Sequence, residues 1–141
     1  MTFLEKEEAI KKLFSKATTS EEKYQVLIDL GKSQPTLSQE EKSEENRVHG
    51  CQSLTYLKTE YREGELFFSI ESDALISAGL GQLLTRVYNG ESPETVLTVS
   101  PKYIEEIGIR SALSPGRANG LASMWERLRK EALDHYMASK R

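Results

Sequence analysis

Apolar residues recur at helical spacing at the start of the chain. Four of them follow the spacing i, i+3, i+4, i+7: Ile10, Leu13, Phe14 and Ala17. This spacing predicts an amphipathic helix over residues 3–17. A second helix is predicted to begin after Ser20, a good N-cap residue, and to end at Gly31. The polar residues 32–47 that follow predict a long surface connection.

The pattern changes to alternation in the middle of the chain. Apolar runs between residues 53 and 71 are broken near Gly64, which predicts a β-hairpin whose turn needs a positive φ at this glycine. The apolar side chains of the return strand would share one buried face: Leu66, Phe68 and Ile70. Because a two-stranded hairpin is only marginally stable by itself, a short third strand is expected near Arg47–Val48.

Helical spacing returns in the last half of the chain. A third helix is predicted to be capped by Ser72 or Asp73 and to run to Gly90. A serine cap followed by proline at the first helical position then predicts three further helix starts: Ser92–Pro93, Ser100–Pro101 and Ser114–Pro115. Helices on both sides of one hairpin region predict an α+β domain over residues 1–141, with a small antiparallel β-sheet of about three strands flanked by helices.

Composition narrows the chemistry that this domain can perform. The chain has 141 residues, 38% of them hydrophobic, which is enough to bury a core without covalent cross-links. It contains one cysteine, Cys51, and two histidines, His49 and His135. These counts exclude an intrachain disulfide, a four-ligand structural zinc site and an iron-sulfur cluster ligated by this chain alone.

Charge and hydropathy exclude two further classes of function. The net charge is −3, without an aromatic-interleaved basic stripe, so general nucleic-acid binding is not expected. The longest run without a charged residue, Ala74–Thr85, falls well short of the ~18 residues of a membrane helix. The acidic N-terminal sequence does not resemble a signal peptide. A cytoplasmic, reducing compartment is therefore expected, and there Cys51 would stay a thiol.

Cys51 is the main candidate for covalent chemistry. It follows Gly50, which allows a sharp turn, between the polar connection and the first strand, where a nucleophile could reach another protein. A free cysteine is also among the most buried residue types and can act as a small hydrophobe, so position and neighbours alone leave these two roles evenly balanced. At an ordinary pKa of about 8.5, only about 3% would be thiolate at pH 7, so a reactive role requires activation.

The other polar residues are weaker candidates than Cys51 for a catalytic or metal-binding role. His49 could pair with Cys51, but no third orienting group is identifiable, which disfavours a hydrolase. The loop acids, from Glu40 to Glu45, lack the fixed geometry of a metal site. Arg117 stands at the start of the last helix, where it needs a carboxylate partner, and Asp73 is a candidate. Gly120 lies inside the same helical pattern, which indicates close packing against another element.

Several short motifs together resemble the SufE family of sulfur-acceptor proteins. In chain order they are Glu22-Lys23-Tyr24, Leu30-Gly31, Asn46-x-Val48-x-Gly50-Cys51-Gln52-Ser53, Ser72-Asp73 followed by Gly79, and Leu113-Ser114-Pro115-x-Arg117-x-x-Gly120. Each motif is weak alone, whereas their order and spacing are specific and cover nearly the whole chain. The resemblance implies a fold shared with IscU-type cluster scaffolds, although those proteins require several cysteines.

The resemblance also implies a function and a set of site residues. Cys51 would accept sulfur as a persulfide from a SufS-like cysteine desulfurase and pass it to a SufB-like scaffold for iron-sulfur clusters. Pyridoxal phosphate would be bound by the desulfurase, and this chain would need no cofactor or metal. Supporting or docking roles fall to residues of the loop, to an acid and to an arginine: His49, Gly50, Gln52, Ser53, Asp73 and Arg117.

Two other functions compete with sulfur transfer. A non-catalytic helical interaction module would use Cys51 only as a core residue. An oxidation sensor would form a sulfenic acid at Cys51, but the chain holds no second cysteine to resolve it.

Overall fold

Residues 1–140 are described by this computed structural model, and within them the chain forms seven helices and two strands. In chain order these are α1 (Phe3–Leu13), α2 (Ser20–Gly31), β1 (Thr55–Arg62), β2 (Glu65–Ser72), α3 (Leu75–Tyr88), α4 (Pro93–Thr98), α5 (Lys102–Glu106), α6 (Ile109–Ala112) and α7 (Pro115–Ser139). The α+β class predicted from the sequence is confirmed.

The two strands form the predicted antiparallel hairpin. Their register runs from Thr55 opposite Ser72 to Arg62 opposite Glu65. The two turn residues, Glu63 and Gly64, have φ values of 50° and 83°. Positive φ at both positions gives a turn whose twist matches that of the flanking strands, as the glycine predicted.

The expected third strand near Arg47–Val48 is wrong, because the sheet has two strands within residues 1–140. The segment forms only an isolated bridge between Arg47 and Tyr56. Val48 N donates to Thr55 O, and Leu57 N donates to Asn46 O, both at 2.8 Å. Pairing stops there because the chain turns away at Gly50, whose φ is 91°.

Helix α3 forms the centre of the core. Almost every residue from Ser77 to Tyr88 is buried, and α3 packs against β2 on one side and α2 on another. Two glycines allow the helices α2 and α3 to touch: a Cβ at Gly31 would overlap the Leu75 carbonyl, and one at Gly79 would overlap the Leu27 carbonyl. The backbones of α2 and α3 are therefore in direct contact where the two helices cross.

Helix starts agree with the sequence in part. Ser92 and Ser114 cap α4 and α7, with Pro93 and Pro115 in the first turn, as predicted. The pair Ser100–Pro101 does not act in this way, because Pro101 itself occupies the N-cap position of α5. Helix α1 ends at Leu13 rather than residue 17, and the N-cap of α2 is Thr19 rather than Ser20.

The cap of α3 also differs from the prediction. Its N-cap is Ala74, without a side-chain hydrogen bond, instead of Ser72 or Asp73. The Asp73 carboxylate accepts a hydrogen bond from Leu54 N, and the Ser72 hydroxyl lies 2.9 Å from that of Ser53. Both side chains are therefore engaged by the segment that carries Cys51.

The polar connection of residues 32–47 lies on the surface, as predicted, and is attached to the hairpin. The Glu71 carboxylate of β2 accepts a hydrogen bond from Leu37 N at 2.7 Å and pairs with Lys42 at 3.2 Å. Lys58 of β1 pairs with Glu41 at 2.5 Å. These contacts come from both strands and hold the connection against the sheet.

Candidate functional site

The segment that carries Cys51 lies along one face of α7. We call residues 49–54 the cysteine loop. Residues of α7 that contact this loop or its entry follow the spacing i, i+3, i+4, i+7, i+11: Gly116, Asn119, Gly120, Ser123 and Arg127. Because such positions share one face of a helix, the N-terminal half of α7 forms a continuous cradle for the loop.

Cys51 is partly buried and packs against the edge of the hydrophobic core. Its thiol lies 3.7 Å from the carbonyl oxygen of Gly120, to which it donates a weak hydrogen bond. A Cβ at Gly120 would lie 3.6 Å from Cys51 Sγ, an ordinary contact distance, so the cysteine packs directly beside this glycine. The close packing predicted at Gly120 is packing against Cys51.

Burial raises the pKa of the Cys51 thiol, while a hydrogen bond from Thr55 and the charge of Arg117 lower it in part. The net shift is upward. Since the thiolate is the nucleophile, Cys51 is held in its less reactive form while the loop rests on α7.

Arg117 and Asp73 do not form the predicted ion pair. Arg117 Nη1 donates to the Ser77 hydroxyl at 2.6 Å. The Asp73 carboxylate accepts from Leu54 N at 3.0 Å, and Asp73 N donates to Leu54 O at 3.1 Å. A neutral hydroxyl at the start of α3 therefore takes the place of the expected carboxylate, and Asp73 instead holds the end of the cysteine loop.

The remaining predicted residues of the loop have separate contacts. Gly50 O accepts a hydrogen bond from Asn119 Nδ2 at 2.9 Å, and a Cβ at Gly50 would overlap the Ser123 hydroxyl. The Gln52 side chain covers Gly116. His49 is exposed and its Nε2 lies 3.3 Å from Glu44 Oε1, so its polar contact is with the polar connection rather than with the thiol.

A cluster of hydroxyl groups joins the loop to the hairpin. Ser72 Oγ lies 2.9 Å from Ser53 Oγ and 3.0 Å from Thr55 Oγ1. Thr55 and Ser72 are buried, so these hydrogen bonds satisfy groups that water does not reach. The cluster keeps the C-terminal end of the loop next to the base of the hairpin.

Sequence reasoning missed part of this site. Five residues that contact the loop, its flanks or Arg117 were not predicted: Thr55, Ser77, Asn119, Ser123 and Arg127. The helical spacing of small and polar residues along α7 was the available signal. It identifies a shared face but does not indicate which segment lies on it.

Residues 1–140 contain neither a metal-binding cluster of side chains nor a membrane-spanning helix. No group of three or more His, Cys, Asp or Glu side chains is placed to hold a metal ion. No helix in the same range is long and apolar enough to cross a membrane.

Comparison with known proteins assigns the family. The sequence model of the SufE family, described as an Fe-S metabolism associated domain, matches residues 8–132. An uncharacterized SufE-like protein of Synechocystis is 30% identical over 120 residues, which are 85% of this chain and 76% of that protein. SufE-like protein 1 of Arabidopsis thaliana, chloroplastic/mitochondrial, is 31% identical over 88% of this chain but only 34% of its own length.

A solved structure has the same fold. The solution structure of a hypothetical protein from Thermus thermophilus superimposes with a TM-score of 0.74 and 26% identity. The match covers 94% of this chain and 96% of the other. The family match, the curated relatives and the shared architecture lead to one conclusion: this chain belongs to the SufE family, which is associated with Fe-S metabolism.

Proposed function

We propose that this protein accepts sulfur from a cysteine desulfurase as a persulfide on Cys51 and passes it to a scaffold on which iron-sulfur clusters are assembled. The observation that carries the proposal is the position of the chain's one cysteine, on a short loop that α7 holds by few contacts. Membership of a family associated with Fe-S metabolism supports it.

The reaction is a thiol exchange without net oxidation or reduction. The Cys51 thiolate attacks the outer sulfur of a persulfide on the desulfurase, and a new S–S bond forms as the old one breaks. The desulfurase cysteine leaves as a thiolate, and Cys51 becomes Cys51–S–SH. A SufS-like desulfurase would supply the persulfide with its own pyridoxal phosphate, and a SufB-like scaffold would receive the sulfur. This chain contributes a thiol and no cofactor.

The contacts of the loop support a sheltered state and an extended one. On α7 the thiol is partly buried and its pKa is raised, which protects it from unwanted alkylation or oxidation. The tip of the loop is held by the Asn119 bond to Gly50 O and the weak bond from the thiol to Gly120 O. Docking of the desulfurase would replace these contacts and expose the thiol.

The other site residues act through the loop or the docking surface. Asp73 and Ser53 hold the C-terminal end of the loop, and Gln52 packs its side chain on α7. Arg117 raises the thiolate fraction of Cys51 by its charge. His49 is exposed beside the loop and is available to a partner. A cytoplasmic setting, where thiols stay reduced, fits this chemistry.

Desulfurase turnover tests the proposal. With cysteine and excess reductant, the wild-type protein should stimulate alanine formation by the desulfurase, because each transfer to Cys51 frees the desulfurase cysteine. Cys51→Ser should abolish the stimulation, while Ser139→Ala, a similar change at an exposed serine at the far end of α7, should retain it. Full stimulation by Cys51→Ser would overturn the proposal.

The packing of Cys51 against the core favours one alternative, a non-catalytic interaction module in which the cysteine only fills space. This alternative predicts slow alkylation of Cys51 both in the free protein and with the desulfurase present. Sulfur transfer predicts that the desulfurase changes the alkylation rate, because docking moves the loop.

A further inference from the structure

Arg127 lies in the middle of α7, and neither the predicted site nor the proposed chemistry uses it. Its side chain is 18% exposed. Nη1 donates to the carbonyl oxygen of Arg47 at 2.9 Å, and Nη2 donates to that of Glu45. Nε is buried without a hydrogen bond and lies 3.9 Å from the Glu131 carboxylate. The guanidinium is therefore largely removed from water, and both of its terminal nitrogens bond to backbone carbonyl groups.

The backbone that Arg127 holds is the entry to the cysteine loop. The two carbonyl groups flank Asn46, whose own carbonyl accepts from Leu57 N. Two residues later, Val48 N donates to Thr55 O and closes the loop at its base. Arg127 therefore fixes the base of the loop from the helix side while β1 fixes it from the sheet side.

A third contact joins these two supports. Glu131, one turn after Arg127 on α7, accepts a hydrogen bond from the Thr59 hydroxyl of β1 at 3.1 Å. The carboxylate is 20% exposed and faces the guanidinium. Helix, strand and loop base are thus connected by one chain of polar contacts from Thr59 through Glu131 and Arg127 to the loop.

The tip of the loop is held less firmly than the base. At the base, a cation donates to two carbonyls, and charge-assisted hydrogen bonds are roughly twice as strong as neutral ones. At the tip, Gly50 and Cys51, the hydrogen bonds to α7 are one neutral amide bond to Gly50 O and one weak bond from sulfur. The tip should therefore leave α7 while the base stays in place.

We propose that Arg127 is a positioning residue that holds the N-terminal base of the cysteine loop, so that only residues 49–52 move when Cys51 is presented to a partner, while Ser53 and Leu54 stay bound to Ser72 and Asp73. Cys51 is three residues from Val48, so its Cα reaches at most ~10 Å from the base. A sulfur donor or acceptor must approach within that distance of the junction between α7 and β1. The part of this inference that concerns sulfur rests on the proposed function.

Amide exchange in the free protein tests this role of Arg127 without any partner. In Arg127→Met, the amides of Val48 and Leu57, which close the base, should exchange at least about tenfold faster than in the wild type. The Phe68 amide, which donates to Asn89 Oδ1, should be unchanged and shows that the fold is intact. Arg129→Met is the matched control, because Arg129 is on the same helix and, within residues 1–140, its ion-pair partner is Glu126 at 3.5 Å.

A conservative variant guards against misfolding of Arg127→Met. Arg127→Lys keeps the charge but cannot reach both carbonyls with a planar fork, so it should give exchange rates between those of the wild type and the methionine variant. Val48 and Leu57 amides that exchange at wild-type rates in both variants would overturn this role of Arg127.

The rate of sulfur transfer tests whether holding the base of the loop matters for function. With desulfurase and cysteine, the rate at which Cys51 acquires sulfur should fall several-fold in Arg127→Met and stay unchanged in Arg129→Met. Faster amide exchange with an unchanged transfer rate would overturn the positioning role. If the wild type acquires no sulfur at all, the proposed function fails, and the role of Arg127 at the base is still judged by the exchange rates alone.

Discussion

The chemistry of Cys51 depends on a few groups around one sulfur atom. Burial raises its pKa, and the Thr55 hydroxyl and the Arg117 charge oppose that effect. Gly120 lies beside the thiol, and a Cβ there would be 3.6 Å from the sulfur. The thiol is thus kept mostly protonated by burial, although the nearby Arg117 charge favours the thiolate. A modest movement of the loop would change the relative size of these two effects on the pKa.

Alkylation of the free protein should therefore show a pH profile shifted upward. Reaction of Cys51 with iodoacetamide should rise through a pKa above the ordinary ~8.5, and Arg117→Gln should slow it at pH 8 by roughly two- to fivefold. Arg110→Gln, which removes an exposed arginine paired with Glu105, is the control. An unchanged profile in Arg117→Gln would show that this charge does not act on the thiol.

The same shift affects stability. Folding raises the pKa of the Cys51 thiol, because burial disfavours the thiolate. The contribution of this group to the free energy of unfolding is therefore fully present below the pKa of the thiol in the unfolded chain, and it decreases as the pH rises above ~8.5.

Gly120→Ala should stabilise the fold. A glycine inside a helix costs about 0.5–1 kcal/mol relative to alanine, and the new methyl group would meet Cys51 Sγ at an ordinary contact distance of 3.6 Å. Denaturant unfolding should show a gain of this size. Gly116→Ala is the comparison, because its methyl group would overlap the Gln52 side chain and displace it. A loss of stability in Gly120→Ala would mean that the loop tolerates no added volume there.

At the scale of elements, the fold rests on helices that touch through glycine and on a hairpin with a two-residue turn. Helices α2 and α3 meet where Gly31 and Gly79 leave no side chain between the backbones. The hairpin provides the base to which the cysteine loop, the polar connection and α7 attach.

Gly79→Ala should destabilise the protein strongly, by roughly 1–3 kcal/mol or more, because its methyl group would overlap the Leu27 carbonyl, and backbone cannot rotate away. Gly81→Ala is the matched control on the same helix. Its methyl group would meet Ile70 Cγ2 at 2.9 Å, so some loss of stability is expected there too, but a smaller one, because a side chain can shift further than a backbone carbonyl. Equal stability of the two variants would contradict the close packing of α2 on α3.

Local signals were sufficient to predict some elements. The hairpin followed from Gly64 and alternation, and two helix starts followed from Ser92 and Ser114. Contacts distant in sequence decided the rest. Ser72 and Asp73 form hydrogen bonds with the cysteine loop instead of capping α3. Arg117 donates a hydrogen bond to Ser77 instead of pairing with Asp73. The expected third strand shrank to one bridge because Gly50 turns the chain away.

At the scale of the whole molecule, a single cysteine is carried on a loop with a fixed base and a weakly held tip. Its one thiol has no second cysteine with which to form an internal disulfide, so a persulfide on Cys51 would not be lost in that way. The family supplies the setting, Fe-S metabolism. The molecule supplies a partly buried thiol on a loop that lies against α7.

The intact mass of this protein after incubation with a cysteine desulfurase and cysteine shows whether Cys51 carries sulfur. The wild type is expected to gain the mass of one sulfur atom, which reductant removes, and Cys51→Ser is expected to gain none. A wild-type protein that stays at its original mass, or a Cys51→Ser variant that gains the same reducible sulfur, would contradict sulfur transfer through Cys51.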